Sequence, residues 1–214
     1  MTRQTRLRDY FLPVLAMVAV VAASNILVQF PVQVHLGPLN LADFLTWGAF
    51  TYPVAFLVTD LTNRRLGSFT ARRVVLAGFL VGIVVSAFLA SPRVATASCT
   101  AFLIGQLLDI AIFSKLRRGP WWQGPLAAPL LGSAIDTLIF FSLAFSPVFA
   151  GLDQLFGHPD GSLAFPAPFF GIGALVPLWI SLAAGDFSVK FLAAGVLLAP
   201  YRALMGPLVQ PQAA

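Results

Sequence analysis

The amino-acid sequence predicts an all-α integral membrane protein with six transmembrane helices. Of its 214 residues, 58% are hydrophobic and only 10% are charged, whereas a typical soluble domain has about 25% charged residues. The apolar residues are grouped in stretches close to the about 20 residues that a helix needs to cross about 30 Å of hydrocarbon. No Pro/Gly/Ser-rich linker or charge run divides these stretches, so a single domain over 1–214 is expected.

Six apolar stretches define the expected spans, at about 9–30, 41–62, 71–90, 94–113, 126–149 and 182–203. The first follows a basic N-terminus, but it is longer than the about 7–15 residues of a signal-peptide core, and no A-x-A cleavage site ends it. Residues 165–180 are apolar and aromatic, but Pro166, Pro168 and Pro177 disfavour a regular helix. We therefore expect a re-entrant or interfacial helix in an extracytoplasmic loop at 165–180, with a seventh span as the alternative.

The basic residues predict the orientation of the chain. Arg93 falls in an outside loop and Lys190 within the last span, when the N-terminus is placed inside. The inside segments then hold 11 of the 13 basic residues, namely Arg3, Arg6, Arg8, Arg64, Arg65, Arg72, Arg73, Lys115, Arg117, Arg118 and Arg202. The positive-inside rule therefore predicts that both termini are cytoplasmic. It also accounts for the net charge of +5 without a nucleic-acid partner, in a chain whose surroundings are the lipid bilayer.

Polar side chains inside the expected spans are the candidates for a binding site. An ionisable group at membrane depth costs from about 2.5 kcal/mol upward, so it normally faces the bundle interior and marks a site or pathway. Asp136 lies near the middle of span five, and Asp186 and Lys190 lie one turn apart in span six, where they can form an ion pair. The remaining candidates are Asn25, Gln29, Trp47, Phe50, Asp60, Gln106 and Asp109.

Two of these candidates have structural interpretations that compete with a functional one. Asp60 ends span two with Arg64 one turn beyond it, which is typical of an interfacial ion pair. Asp109 is near the cytoplasmic end of span four, where it can extend toward water or pair with Arg73 or Lys115.

The other polar candidates also have a structural alternative. Asn25 and Gln29 are spaced for helix–helix hydrogen bonds, which contribute about 0.6–2 kcal/mol each. Asp136 has no basic residue within a turn on its own helix, but Lys190 from span six can hold it permanently. The Asp186–Lys190 pair can itself be purely structural. The aromatic residues of span two are also explained by lipid contact.

Motifs of enzymes are missing from the sequence. No G-x-x-x-x-G-K-[ST] loop or H-E-x-x-H pair is present, and the lone Cys99 excludes an intramolecular disulfide and a cysteine-based zinc cluster. We expect neither catalytic residues, nor a metal, nor a cofactor.

A series of short motifs, spread in order along the chain, carries a family resemblance. They are Ser24-Asn25 with Gln29 and Pro31; Thr46-Trp47-Gly48-Ala49-Phe50 with Pro53, Thr59 and Asp60; Arg64 with Gly67 and Ala71-Arg72-Arg73; Arg93 with Ala95-Thr96-Ala97-Ser98; Gly105-Gln106 with Asp109 and Phe113; Trp121-Trp122; Gly132 with Asp136-Thr137; and Asp186 with Lys190. On these residues the chain resembles the queuosine precursor transporter family. The matches reach from the first span to the last.

The resemblance implies a function and a fold. It implies import of 7-cyano-7-deazaguanine, with 7-aminomethyl-7-deazaguanine as a further cargo, across the bacterial inner membrane. The family looks similar to the six-helix substrate-binding subunits of energy-coupling-factor transporters, although it works without the ATPase module. The alternatives are a substrate-binding subunit of such a complex and, in another class, a membrane enzyme or assembly factor.

The chemistry of a deazaguanine fits the candidate residues. Its N1–H and 2-amino groups are donors that one carboxylate, Asp136 or Asp186, can accept together. Its ring carbonyl needs a donor amide, for which Asn25, Gln29 and Gln106 are candidates. Its flat ring can stack on Trp47 or Phe50 at about 1–3 kcal/mol.

Overall fold

The computed structural model describes the backbone of residues 3–37 and 39–208, and the side chains of 10–37 and 39–206. Arg3, Arg6 and Arg8, part of the predicted charge asymmetry, have side chains outside the described residues. The helices are α1 (Arg3–Leu27), α2 (Trp47–Thr51), α3 (Pro53–Leu66), α4 (Ser68–Leu89), α5 (Pro92–Leu116), α6 (Gln123–Phe145), α7 (Gly151–Leu155), α8 (Leu178–Val196) and α9 (Leu198–Leu208). Two short hairpins pair β1 (His35–Leu36) with β2 (Leu39–Asn40), and β3 (Pro166–Pro168) with β4 (Leu175–Pro177).

Five helices of the described chain are long and apolar enough to cross a membrane. They are Tyr10–Leu27 within α1, then α4, α5 and α6, and Leu178–Gly206, which joins α8 to α9. These helices correspond to five of the six predicted spans, at 9–30, 71–90, 94–113, 126–149 and 182–203. The prediction of an all-α membrane protein is confirmed. The boundaries of these five spans differ from the predicted ones by a few residues.

The predicted second span at 41–62 is wrong as a continuous helix. Residues Leu41–Asp43 form a 3₁₀ turn, which the Asn40 side chain caps by accepting a hydrogen bond from the Ala42 N–H. The helical stretch then begins at Trp47 and is divided at Pro53, which has no N–H to donate to the preceding turn. The two pieces α2 and α3 together cover 47–66, and a sixth crossing by them stays a prediction.

The expected helix at 165–180 is also wrong. Strands β3 and β4 form an antiparallel hairpin, and a 3₁₀ turn at Phe169–Gly171 lies between them. The three prolines of the segment fix φ and lack an N–H, which favours this extended backbone over a helix. A seventh span is thereby excluded here. The ring of Phe170 packs edge-on against Phe44, with 5.5 Å between centroids, so the hairpin rests on the helical bundle.

Helices α5 and α6 meet through two glycines. A Cβ atom placed on Gly105 would lie 2.9 Å from the Cβ of Asp136, and one placed on Gly132 would lie 2.9 Å from the carbonyl oxygen of Gly105. It would also lie 3.2 Å from the Cβ of Asp109. Only glycine allows the two backbones to approach this closely. The crossing brings Asp109 of α5 and Asp136 of α6 to the same level of the bundle.

Two arginines with their hydrogen-bond partners lie at opposite ends of the bundle. At one end, Arg64 donates to the carbonyl oxygen of Arg117 over 2.6 Å and to the hydroxyl of Tyr201 over 2.9 Å. At the other end, Arg93 forms an ion pair of 2.6 Å with Asp153 and is almost completely buried. Arg93 is the second residue of α5, and Arg117 follows its last residue. We call these ends the Arg64 end and the Arg93 end.

Candidate functional site

A cavity of about 450 Å³ lies inside the bundle toward the Arg93 end. Residues of α1, α2, α4, α5, α6 and α8 line it, together with the turn at 42–46. Most of the wall is apolar. Its polar members are Ser24, Asn25, Gln29, Asp43, Thr46, Tyr52, Ser86, Ser91, Ser98, Asp136, Asp186 and Lys190.

Asp136, Asp186 and Lys190 form an ionic cluster in the wall of this cavity. The Nζ atom of Lys190 lies 2.6 Å from an oxygen of Asp136 and 2.6 Å from an oxygen of Asp186. The predicted Asp186–Lys190 pair is confirmed, and so is the alternative that Lys190 holds Asp136. Because two carboxylates share one ammonium group, the fully ionised cluster has an excess of negative charge. Such a cluster favours a ligand with hydrogen-bond donors or positive charge.

Hydroxyl groups fix the two carboxylates. Tyr52 donates to Oδ1 of Asp136 over 2.7 Å, while Lys190 occupies its Oδ2. Thr137 donates to Oδ2 of Asp186 over 2.8 Å and accepts from Lys190 over 3.0 Å. Both oxygens of Asp136 are therefore engaged, whereas Oδ1 of Asp186 has no protein partner in the described part of the chain. Asp186 is also the more exposed of the two.

Tyr52 and Thr137 are site residues beyond those predicted, although the polar tip of Tyr52 in span two suits a cavity. The signal for each was weak, since it consisted only of a hydroxyl inside an apolar stretch, next to Pro53 in one case and Asp136 in the other.

Asn25 of α1 and Gln29, two residues past the end of α1, both line the cavity, but they differ in their contacts. Asn25 donates to the carbonyl oxygen of Val21 over 2.9 Å and accepts from the hydroxyl of Ser86 over 2.9 Å. It therefore makes the helix–helix hydrogen bond that was the structural alternative for this residue. Gln29 is exposed to the cavity and its side chain makes no such bond.

The remaining candidates lie outside the cavity. Trp47 and Phe50 are 47% and 43% exposed and pack on each other with 5.8 Å between ring centroids. Asp60, Gln106 and Asp109 are buried together between α3 and α5. Other aromatic side chains line the cavity instead, namely Phe44, Phe140, Phe141 and Phe145.

The predicted partners of Asp60 and Asp109 are wrong. Arg64 does not form an ion pair with Asp60, because the Tyr201 hydroxyl and the Arg117 carbonyl take its guanidinium group. Asp109 neither reaches water nor pairs with a basic residue, since it is fully buried and neither oxygen has a hydrogen-bond donor among the described residues.

The fold defines a multi-pass membrane protein with a cavity inside its helical bundle. The family described as "Putative vitamin uptake transporter" matches residues 46–91 and 84–204. The queuosine precursor transporter of Escherichia coli (strain K12) is 32% identical over 213 residues, which cover 89% of this chain and 84% of that protein. The probable queuosine precursor transporter of Haemophilus influenzae (strain ATCC 51907 / DSM 11121 / KW20 / Rd) is 35% identical over 153 residues, or 59% of this chain and 65% of that protein. No solved structure matches the chain. The chain belongs to the queuosine precursor transporter family.

Proposed function

We propose that this protein imports 7-cyano-7-deazaguanine, and also accepts 7-aminomethyl-7-deazaguanine, across the bacterial inner membrane without changing it chemically. The observation that carries the proposal is the ionic cluster of Asp136, Asp186 and Lys190 in the wall of an apolar cavity. Both relatives have names that refer to queuosine precursors. The cavity of about 450 Å³ falls in the range of about 300–1,000 Å³ that small-molecule sites occupy.

Asp186 supplies the acceptor for the donor edge of the ring. Asp186 lines the cavity and its Oδ1 atom has no protein partner in the described chain, whereas Asp136 already accepts from Tyr52 and Lys190. A carboxylate can accept more than one donor, so the N1–H and the 2-amino group can both bind Asp186. Asp136 then acts through Lys190 by keeping the ammonium group in place.

The rest of the ring is bound by stacking and by an amide. Phe44 and Phe141 line the cavity and offer aromatic faces for the heterocycle, at about 1–3 kcal/mol per stacked base. Gln29 lines the cavity with a side chain that makes no hydrogen bond in the described chain, so its amide can donate to the ring carbonyl. Trp47 and Phe50 have no role in this arrangement because they lie outside the cavity.

The test is the amount of queuosine in transfer RNA. A strain that cannot make the precursor, and has no importer of its own, receives external 7-cyano-7-deazaguanine with and without this protein. We expect queuosine to appear only with the protein. Asp186→Asn should reduce initial uptake at least about tenfold, equivalent to about 1.4 kcal/mol. Ser188→Ala is the matched control on α8, because this hydroxyl is exposed and bonds only to its own helix.

Two outcomes would overturn the proposal. Absence of queuosine despite normal membrane expression of the protein would show that 7-cyano-7-deazaguanine is not its substrate. Uptake that requires the shared ATPase module of energy-coupling-factor transporters would assign the chain to the substrate-binding subunits instead. Binding of unmodified substrate to the purified protein, with no product formed, separates a transporter from a membrane enzyme or an assembly factor.

A further inference from the structure

Two acidic residues face each other between α3 and α5, outside the substrate cavity. Asp60 is 1% exposed and Asp109 is fully buried. The two helices touch beside the pair, because Thr59 donates to Gln106 and Asn63 donates to the carbonyl oxygen of Ile110. Two carboxyl groups in this arrangement cannot both stay ionised in a low-dielectric interior. One proton bound to the Asp60–Asp109 pair would remove this repulsion.

The pair lies among buried polar atoms that have no partners. Oδ1 of Asp60 and both oxygens of Asp109 receive no hydrogen bond from any other described group. Gln106, fully buried one turn before Asp109, accepts from Thr59 over 2.5 Å and has no partner for its Nε2 atom. Thr59 directly precedes Asp60, so this amide lies beside the pair. Unsatisfied buried polar groups are rare in native proteins. Their concentration here indicates that a ligand binds reversibly at this place.

Among the described residues, the ion pairs do not include Asp60 or Asp109. The titratable groups that surround it are Arg64 on α3, Asp136 on α6, Lys190 on α8 and Tyr201 on α9. Arg64 donates to Tyr201 and to a backbone carbonyl. Lys190 is held by two other carboxylates. A proton can therefore bind to the pair or leave it without breaking an ion pair of the described residues, with Arg64 one turn from Asp60 as the nearest cation on α3.

A small cavity lies beside Asp60 and Lys190. Its volume is about 20 Å³, and Asp60, Ser133, Lys190 and Tyr201 are among the residues that line it. A water molecule needs about 10–15 Å³ on this measure, so the cavity can hold one. Lys190 lines both this space and the substrate cavity. This small cavity therefore lies between Asp60 and a residue of the ionic cluster.

We propose that the Asp60–Asp109 pair is a proton-binding site that couples import to proton movement. A proton from the Arg93 side binds a carboxylate oxygen of the pair, and it later leaves to water at the Arg64 end. The protonated pair allows α3 and α5 to pack as they do in this structure. Loss of the proton leaves two adjacent carboxylates, whose repulsion favours separation of α3 from α5 and opening toward the Arg64 end.

The first experiment uses the intact protein in proteoliposomes with radiolabelled 7-cyano-7-deazaguanine, and thus depends on the proposed substrate. Exchange of labelled for unlabelled substrate without any gradient tests the substrate alone. An imposed pH gradient should then drive accumulation, by about tenfold per pH unit for one proton per substrate. A sodium gradient should have no effect. Absence of exchange overturns the substrate proposal and this inference together, whereas exchange without a response to the pH gradient overturns this inference alone.

The second experiment assigns the coupling to the pair. Asp109→Asn and Asp60→Asn should retain exchange but lose accumulation driven by the pH gradient. Asp160→Asn, an exposed acid in the loop at the Arg93 end, should retain both. Gradient-driven accumulation in both pair variants would overturn the assignment. If the variants do not fold, a pH dye inside wild-type proteoliposomes still tests the coupling. Absence of proton movement on addition of substrate would overturn the proposal that import is coupled to protons.

Discussion

The ammonium group of Lys190 lies 2.6 Å from a carboxylate oxygen of Asp136, although the two residues are on different helices and 54 positions apart in the sequence. The same ammonium group lies equally close to Asp186, one turn away on its own helix. This single lysine therefore links α6 to α8 beside the cavity of about 450 Å³. Its removal would leave two carboxylates without a counter-charge in a buried site.

Lys190→Met is the first test of this arrangement. Breaking a buried ion pair by removing one partner typically costs about 3–5 kcal/mol, because the other charge stays buried. We expect a strong loss of folded protein, measured as the thermal midpoint in detergent. Asp186→Asn should be milder, since it leaves the Lys190–Asp136 pair intact. The double change Asp186→Asn with Lys190→Met should be less harmful than the sum of the single changes, and strict additivity would contradict the pairing.

Tyr52→Phe tests the hydroxyl that holds Asp136. It removes one hydrogen bond of 2.7 Å to a carboxylate, and bonds to charged groups contribute about 1.5–3 kcal/mol. We expect normal membrane yield with uptake reduced about tenfold, because Asp136 and Lys190 lose their fixed orientation. Tyr10→Phe is the matched control on α1, where the side chain is exposed. Wild-type uptake by Tyr52→Phe would show that the hydroxyl does not position the cluster.

The spans were predictable from sequence because hydropathy and length are local properties. Five apolar helices occur close to their predicted positions for this reason. The ion pair of Asp186 with Lys190 was predictable too, since a spacing of four residues brings them together on any helix. The exception is the second span, where a capped turn before Trp47 and the break at Pro53 depend on backbone hydrogen bonds that apolar content does not encode.

The contacts between helices were not predictable in the same way. The spacing of Asp60 and Arg64 favours a local pair, but Arg64 finds Tyr201, 137 positions later, instead. Likewise, Trp47 and Phe50 were expected to stack on substrate, yet the short helix α2 turns them away from the cavity that Phe44 and Phe141 line. Which face of a helix is covered depends on its neighbours, and one sequence does not specify them.

Gly132→Ala tests the close contact of α5 and α6. The added Cβ would lie 2.9 Å from a backbone oxygen and 3.0 Å from Phe56, so the helices must move apart. Overpacking of this kind costs about 1–3 kcal/mol, and uptake should fall because Asp109 and Asp136 flank the contact. Gly195→Ala is the control in α8, since nothing lies within 4 Å of its added Cβ. An unchanged thermal midpoint for Gly132→Ala would contradict the close approach.

The orientation is open to a direct test with reporter fusions. The charge asymmetry predicts that fusions after Gly67, Arg118 and Ala214 report the cytoplasm, and that a fusion near His158 reports the outside. The structure adds that Arg64 and Arg117 meet at one end of the bundle, so the fusions after Gly67 and Arg118 must agree with each other. A cytoplasmic signal at His158 would reverse the orientation and place the substrate cavity on the cytoplasmic side.

The ion pair of Arg93 and Asp153 predicts how stability depends on pH. Burial raises the pKa of the Asp153 carboxyl. The hydrogen bond from the N–H of Gly161 and the guanidinium of Arg93 lower it by more than burial raises it, so its pKa lies below the ordinary value. Arg93 also donates to the carbonyl oxygens of Leu143 and Ser146, which joins the loop to the end of α6. Protonation of Asp153 would leave this buried guanidinium without its closest counter-charge.

The sign follows from the lowered pKa. The folded protein binds fewer protons at Asp153 than the unfolded chain, so the contribution to stability is complete above the unfolded pKa of about 3.9 and is lost as pH falls through the folded value. We expect the thermal midpoint in detergent to be constant near neutral pH and to fall below about pH 4. Asp153→Asn should lower the midpoint at neutral pH and weaken its dependence on acid, whereas Asp160→Asn, at 56% exposure, should change both much less. Equal acid sensitivity of the wild type and Asp153→Asn would show that another carboxylate governs the transition.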